Sequence, residues 1–206
     1  METFWYVVIA GMLAVYVVLD GFDFGTGIAY LWVARTDEER HMVLQAIGPV
    51  WNGNEVWLLA SGGMIFFAFP KAYASGFSGF YLALMLVLWL LIVRGVALEL
   101  RSHFSHPLWR AFWDASFAMA SLILALVFGV ALGNLLRGVP LNHDGYFFAP
   151  FWTTFAPGVD AGIVDWFTLL MGITGAAVLT VHGAGYLAIK TTGNLARRAR
   201  ALARCA

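Results

Sequence analysis

The sequence predicts an all-α integral membrane protein that crosses the bilayer about five times. Three observations carry this reading. First, 61% of the 206 residues are apolar and only 12% are charged. An average soluble domain has roughly 45–50% and about 25%, and no soluble fold of this length hides so much apolar surface from water. Second, the apolar residues gather into segments of the length a membrane demands. A hydrocarbon core of roughly 30 Å needs about 20 helical residues. Third, no segment shows the alternating pattern of a transmembrane barrel. Backbone groups in lipid must be paired within the spanning structure, which leaves helices.

The spans are expected at residues 4–33, 49–70, 77–98, 112–136 and 161–189. The first is apolar from Phe4 to Leu19 and then continues through Asp20 and Asp23. The second is long enough, but its first turns are polar. The other three are the clearest. Between the first two, Thr36-Asp37-Glu38-Glu39 has the form of a capping box and predicts a short interfacial helix carrying Met42, Val43 and Ile47. Asn142-His143-Asp144-Gly145 reads as a turn. No linker or short repeat divides the chain, so residues 1–206 are expected to form one membrane domain, with 190–206 as a basic tail.

Lysine and arginine predict the orientation. Arg35, Arg40, Arg101, Arg110, Lys190, Arg197, Arg198, Arg200 and Arg204 fall on one side of the spans, and only Lys71 and Arg137 on the other. The N-terminus is therefore expected outside and the C-terminus in the cytoplasm. Met1-Glu2-Thr3 lacks the basic start of a cleaved signal, so the first span is expected to stay in the mature protein. The formal net charge is zero, and the basic residues form no nucleic-acid face. Cys205 alone supports neither a disulfide, a C-x-x-C-H haem attachment nor a thiolate zinc site. No Walker loop, nucleophile elbow or His-Glu-x-x-His motif occurs, so neither catalytic side chains nor a metal site are expected.

The chemistry of interest lies in polar groups at membrane depth. Asp20 and Asp23 are three residues apart and share a helix face. Gly21 and Gly25 between and beyond them form a Gly-x-x-x-Gly pair that lets another helix approach. A carboxylate at the bilayer centre costs roughly 2.5–3.5 kcal/mol on the insertion scale. The pair therefore either faces protein or a water-filled path, or lies wetted where a shorter first span ends. Trp51-Asn52-Gly53-Asn54-Glu55-Val56-Trp57 puts two amides and an acid at a similar depth. These form a hydrogen-bonded network with the aspartates or an ordinary wet helix start. Arg94 lies deeper than the end of span three, where it either finds a partner or snorkels, and Glu99 and His103 follow one turn apart. His182 is the one histidine inside an expected span. It reads as a packing residue more readily than a haem ligand, because no second histidine faces it.

Several blocks together resemble subunit II of the cytochrome bd-type quinol oxidases. They are Asp20–Gly25 (DGFDFG), Trp51–Trp57 (WNGNEVW), Gly76–Tyr81 (GFSGFY), Gly129–Pro140 (GVALGNLLRGVP) and the basic helix end at Arg94–Arg101. They stand in the family's order over roughly residues 4–195. The resemblance implies a haem-ligand-free subunit of a quinol:dioxygen oxidoreductase in the bacterial plasma membrane. The partner would be subunit I, which holds haems b and d, with quinone as a further candidate ligand. It implies a proton route lined by Asp20, Asp23, Asn52, Glu55, Glu99 and His103, and makes Trp57 and Arg94 candidates for the partner interface or the surroundings of a haem. Asn52 departs from relatives that carry an acid there. The resemblance also implies a first four-helix bundle followed by a second, of which this sequence contains the start, as a fragment or a short form would. Two other readings accommodate the same buried acids: a stand-alone proton channel or transporter, and a purely structural assembly subunit.

Overall fold

The computed structural model describes residues 1–158 and 162–205. Asp160 and the Ala161 start of the fifth expected span lie outside the described residues. The described residues form helices α1 (Glu2–Val33), α2 (Asp37–Ile47), α3 (Trp51–Ala68), α4 (Pro70–Gly79), α5 (Tyr81–Leu100), α6 (Pro107–Arg137), α7 (Trp166–Lys190) and α8 (Gly193–Cys205). The expected all-helical membrane class is what the chain adopts.

Four helices, α1, α5, α6 and α7, are long and apolar enough to cross a membrane. The remaining expected span, 49–70, is not one of these. It is helix α3, whose first two turns carry Asn52, Asn54 and Glu55, and it is followed by the separate helix α4. Pro70 at the start of α4 cannot donate to a preceding carbonyl and pushes Phe69 out of the helical region, to φ −136° and ψ 63°. The α3–α4 pair nonetheless carries the chain from one end of the bundle to the other. Asn54 at the start of α3 donates to the Leu19 carbonyl of α1. Gly79 at the end of α4 lies against Phe147 in the loop after α6. Helix α5 then returns, and the Trp109 indole at the start of α6 donates to the Leu100 carbonyl at 2.8 Å.

Helix α1 is central and packs on α3, α6 and α7. Its contact with α7 is backbone to backbone. A Cβ at Gly25 would overlap the carbonyl of Leu179, and one at Gly183 would overlap the backbone of Gly25 and Thr26. Gly129 of α6 and Gly172 of α7 meet in the same way. Helices in lipid gain nothing from hiding apolar surface from each other, so close packing across small residues is what holds them.

At the end where α1 stops, Tyr30, Val33, Val43, Ile47, Phe117, Leu187, Leu195 and Ala199 form one apolar cluster from α1, α2, α6, α7 and α8. The predicted capping box of α2 is present. Thr36 accepts from the Glu39 amide at 3.2 Å, and the Glu39 carboxylate accepts from the Thr36 amide at 3.3 Å. The predicted turn is present at the opposite end. There the Asn142 side chain accepts from the amides of Asp144 and Tyr146, and Gly145 takes a positive φ of 84°. Most of the residues expected as a basic tail form helix α8.

The α1–α7 contact gives a direct test. Gly25→Ala forces two backbones apart and should destabilise by roughly 1–3 kcal/mol or more. Gly53→Ala, whose Cβ meets nothing within 4 Å, makes the same chemical change without that clash. Thermal unfolding in detergent should separate the two variants. Equal midpoints would show that the glycine contact does not limit stability.

Candidate functional site

The acids of α1 meet α3 and α5 in a buried polar cluster. Arg94 of α5 has no solvent exposure, and neither does Asp20; Asp23 is 1% exposed. The Arg94 Nη2 donates to Asp20 Oδ1 at 2.9 Å and to Glu55 Oε1 at 2.5 Å. The guanidinium also lies over the Phe24 ring, 4.3 Å from its centroid, an arrangement that stabilises a desolvated cation further. Asp23 Oδ2 accepts from the Asn54 amide at 2.8 Å. The same amide reaches the Leu19 carbonyl, so Asn54 binds both side chain and backbone of α1. The Tyr16 hydroxyl lies beside Asp20, one turn earlier on the helix.

Two features set the chemistry of this cluster. Three carboxyl groups, Asp20, Asp23 and Glu55, lie in a cluster with one cation, Arg94, which pairs with Asp20 and Glu55 while Asn54 holds Asp23. Moreover, Asp20 Oδ2, Asp23 Oδ1 and the Nε and Nη1 of Arg94 are buried without a hydrogen-bond partner. The cluster therefore has both an excess of acid and unused hydrogen-bonding capacity, which a static ion pair does not need. Glu55 supplies its opening, since its side chain is 24% exposed.

The structure thus brings together Asp20, Asp23, Glu55 and Arg94 from the expected set and leaves the others outside. Asn52 is exposed. Its place is taken by Asn54, because Trp51, Asn54, Glu55 and Leu58 form the inward i, i+3, i+4, i+7 face of α3. That periodicity was the signal in the sequence that favoured Asn54. Glu99 and His103 are exposed near the end of α5. The His103 Nδ1 lies 3.3 Å from the Glu99 backbone carbonyl and not on its carboxylate, so the expected side-chain pair is not formed. Trp57 is on the exposed side of α3. The His182 Nε2 is 2.9 Å from the Val18 carbonyl, and the ring packs near Phe22. Among the described residues no three histidine, cysteine or carboxylate side chains converge as a metal would require.

A second network was not anticipated. Asp114 of α6 is buried and accepts from Tyr30 at 2.5 Å, Arg40 at 2.8 Å and Arg101 at 2.5 Å. Asp37 bridges Arg101 and Arg110, and Glu39 pairs with Arg198 of α8. The hydrogen bond from Arg101 holds the Asp37 carboxyl below the usual carboxylate range. At the other end, Arg137 pairs with Asp165, which caps α7. An acid two residues into the expected fourth span was the available signal for Asp114.

A family model for cytochrome bd terminal oxidase subunit II matches residues 1–206. The chain is 39% identical over 202 residues to cytochrome bd-I ubiquinol oxidase subunit 2 of Escherichia coli (strain K12), covering 98% of this chain and 52% of that relative. It is 40% identical over 196 residues to the probable cytochrome oxidase subunit 2 of Haemophilus influenzae, covering 95% and 50%. It is 35% identical over 202 residues to cytochrome bd ubiquinol oxidase subunit 2 of Bacillus subtilis, covering 97% and 56%. The chain spans about half the length of the curated relatives it matches.

Removing one member of a buried ion pair strands the other, at a cost of about 3–5 kcal/mol. Arg94→Gln should therefore lower the unfolding midpoint sharply, and the double change Arg94→Gln with Asp20→Asn should recover part of the loss. Additive effects in that cycle, followed by thermal unfolding in detergent, would show that the pair is not coupled.

Proposed function

The chain belongs to the cytochrome bd terminal oxidase subunit II family, and from that premise we propose that it serves a quinol:dioxygen oxidoreductase as a subunit that ligates no haem, packs on a haem-bearing partner and lines a proton route. Reduction of dioxygen to water consumes one proton for every electron. Each proton must reach a haem inside an apolar medium where an isolated charge is too costly. Closely spaced groups that accept and release protons lower that cost. The acid-rich cluster around Arg94 is the observation that carries this reading.

The roles follow from geometry. Glu55, partly exposed, receives the proton. Asp20 and Asp23 hold it at depth, each with an oxygen free for a further hydrogen bond. Arg94 keeps the carboxylates in place and balances one charge. Asn54 cannot take up a proton and acts by fixing Asp23. Glu99 and His103, exposed towards the end of α5, form the approach, and Asn52 stands outside the route. Haems b and d belong in this reading to the partner subunit, with quinol drawn from the membrane pool. The engagement of His182 with Val18 supports the absence of a haem ligand in this chain.

In the assembled oxidase, Glu55→Gln and Asp23→Asn should each slow oxygen consumption by roughly tenfold to a hundredfold. Membrane potential should fall with it while the haem absorbance stays unchanged. Full turnover in the double variant would remove both residues from any obligatory path. Loss of haem together with activity would favour a purely structural role.

The reading also requires the cluster to draw on the cytoplasm, with the N-terminus outside. The arginine-rich end formed by Arg40, Arg101, Arg110 and Arg198, against Lys71 and Arg137 at the other end, supports that orientation. Reporter fusions after Arg200 should report cytoplasm, and one at Asp144 should report the outside. The inverse pattern would place the opening of the cluster on the wrong side.

A further inference from the structure

Helix α8 has two faces with different tasks. Leu195, Ala196 and Ala199 are buried against the ends of α1 and α2, with Leu202 packed beside them. Arg198, between the faces, is fully committed: its Nε donates to the Val33 carbonyl at 2.6 Å and its Nη2 pairs with Glu39. Arg197, Arg200 and Arg204 point the other way and are exposed. They recur at i, i+3 and i+7, so they stand in one row on one helix face. With Ala201 they line a shallow cleft.

None of these three arginines meets a carboxylate among the described residues. Arg197 donates to the Asn194 side chain at 3.0 Å and Arg200 to its own helix at the Ala196 carbonyl, 3.3 Å away. Four other arginines of this end are paired: Arg40 and Arg101 with Asp114, Arg110 with Asp37 and Arg198 with Glu39. The row on α8 is thus three adjacent cations without a counter-charge among the described residues.

Its position says what covers it. Only Thr191 and Thr192 separate α8 from α7, one of the helices long enough to cross the membrane. The apolar side of α8 is pinned to the end of α1, another such helix. The row is therefore held within a short distance of the headgroup layer, with the apolar face of α8 turned to the bundle and the arginines left outside. Arginine forks match phosphate oxygens in pairs, and several side by side match a surface of phosphates.

We propose that Arg197, Arg200 and Arg204 form a binding surface for the phosphate headgroups of anionic phospholipids, which fixes α8 to the membrane surface. The surface is distinct from the Arg94 cluster and does not depend on the proposed proton route.

The test uses the protein in its native membrane assembly, extracted in mild detergent and stripped of lipid. Phosphatidylglycerol or phosphatidylcholine is then added back, and bound lipid is counted by native mass spectrometry. The unaltered protein should prefer phosphatidylglycerol. The triple change Arg197→Gln, Arg200→Gln and Arg204→Gln should weaken that preference by on the order of tenfold. Ala201→Glu should weaken it too, by placing an acid in the row while every arginine remains. Lys71→Gln, at the opposite end, should leave it unchanged. Equal binding of the two lipids by the unaltered protein, or an unchanged preference in the triple variant and in Ala201→Glu, would overturn the proposal. So would displacement of phosphatidylglycerol by inorganic phosphate at the same concentration, since that outcome marks a site for free anions.

Discussion

Arg94 buries a guanidinium with no solvent exposure, and the rest of the bundle is arranged around that charge. So buried, the cation needs both a counter-charge and hydrogen-bond acceptors. Asp20 and Glu55 provide them from helices that are 74 and 39 residues away in sequence. Meeting this demand fixes the rotation of three helices at once. Helix α1 must turn Asp20 and Asp23 towards α3 and α5. Helix α3 must then show Trp51, Asn54 and Glu55, and the Trp51 ring comes to rest 3.2 Å from where a Cβ on Gly95 would be. Tyr16, Phe24, Val87 and Leu124 close over the charges as an apolar cluster.

The two buried polar networks differ in the balance of acids and cations. At the end of the bundle, Asp37, Glu39 and Asp114 face Arg40, Arg101, Arg110 and Arg198. Acids there are outnumbered by arginines, and the network clamps α1, α2, α5, α6 and α8 together. Around Arg94 the ratio is reversed. Three carboxyl groups gather around one cation, and Asp20 and Asp23 each keep an oxygen without a partner among the described residues. The glycine contacts of α1 with α7 keep this site rigid, because backbones in van der Waals contact leave little room for the helices to rotate.

Relatives named as oxidase subunits match nearly all of this chain. Under the proposed function the cluster gives that kinship a physical content, since a proton-consuming reaction in an apolar partner would need acids at depth. At the charged end, Arg40, Arg101, Arg110 and Arg198 are paired internally, while Arg197, Arg200 and Arg204 form one row on α8 facing outwards.

Much of this was legible in the sequence. Apolar content and segment length determined the helical membrane class, Thr36 to Glu39 announced the capping box, and the spacing of Asp20 and Asp23 put two acids on one face. Asn54 in place of Asn52 was legible in principle, because the inward face of α3 follows from helical periodicity. Other features required the tertiary structure. Glu99 and His103 have the spacing of a pair, yet the ring turns to a backbone carbonyl and both side chains remain outside the cluster. Asp114 was not singled out in the sequence, and only the packing of α1, α2 and α5 brings it Tyr30, Arg40 and Arg101. The physical reason is the solvent. In water, apolar periodicity points to the core. In lipid the surroundings are as apolar as the core, so the face a helix turns to its neighbours is decided by small residues and by charges that find partners far along the chain.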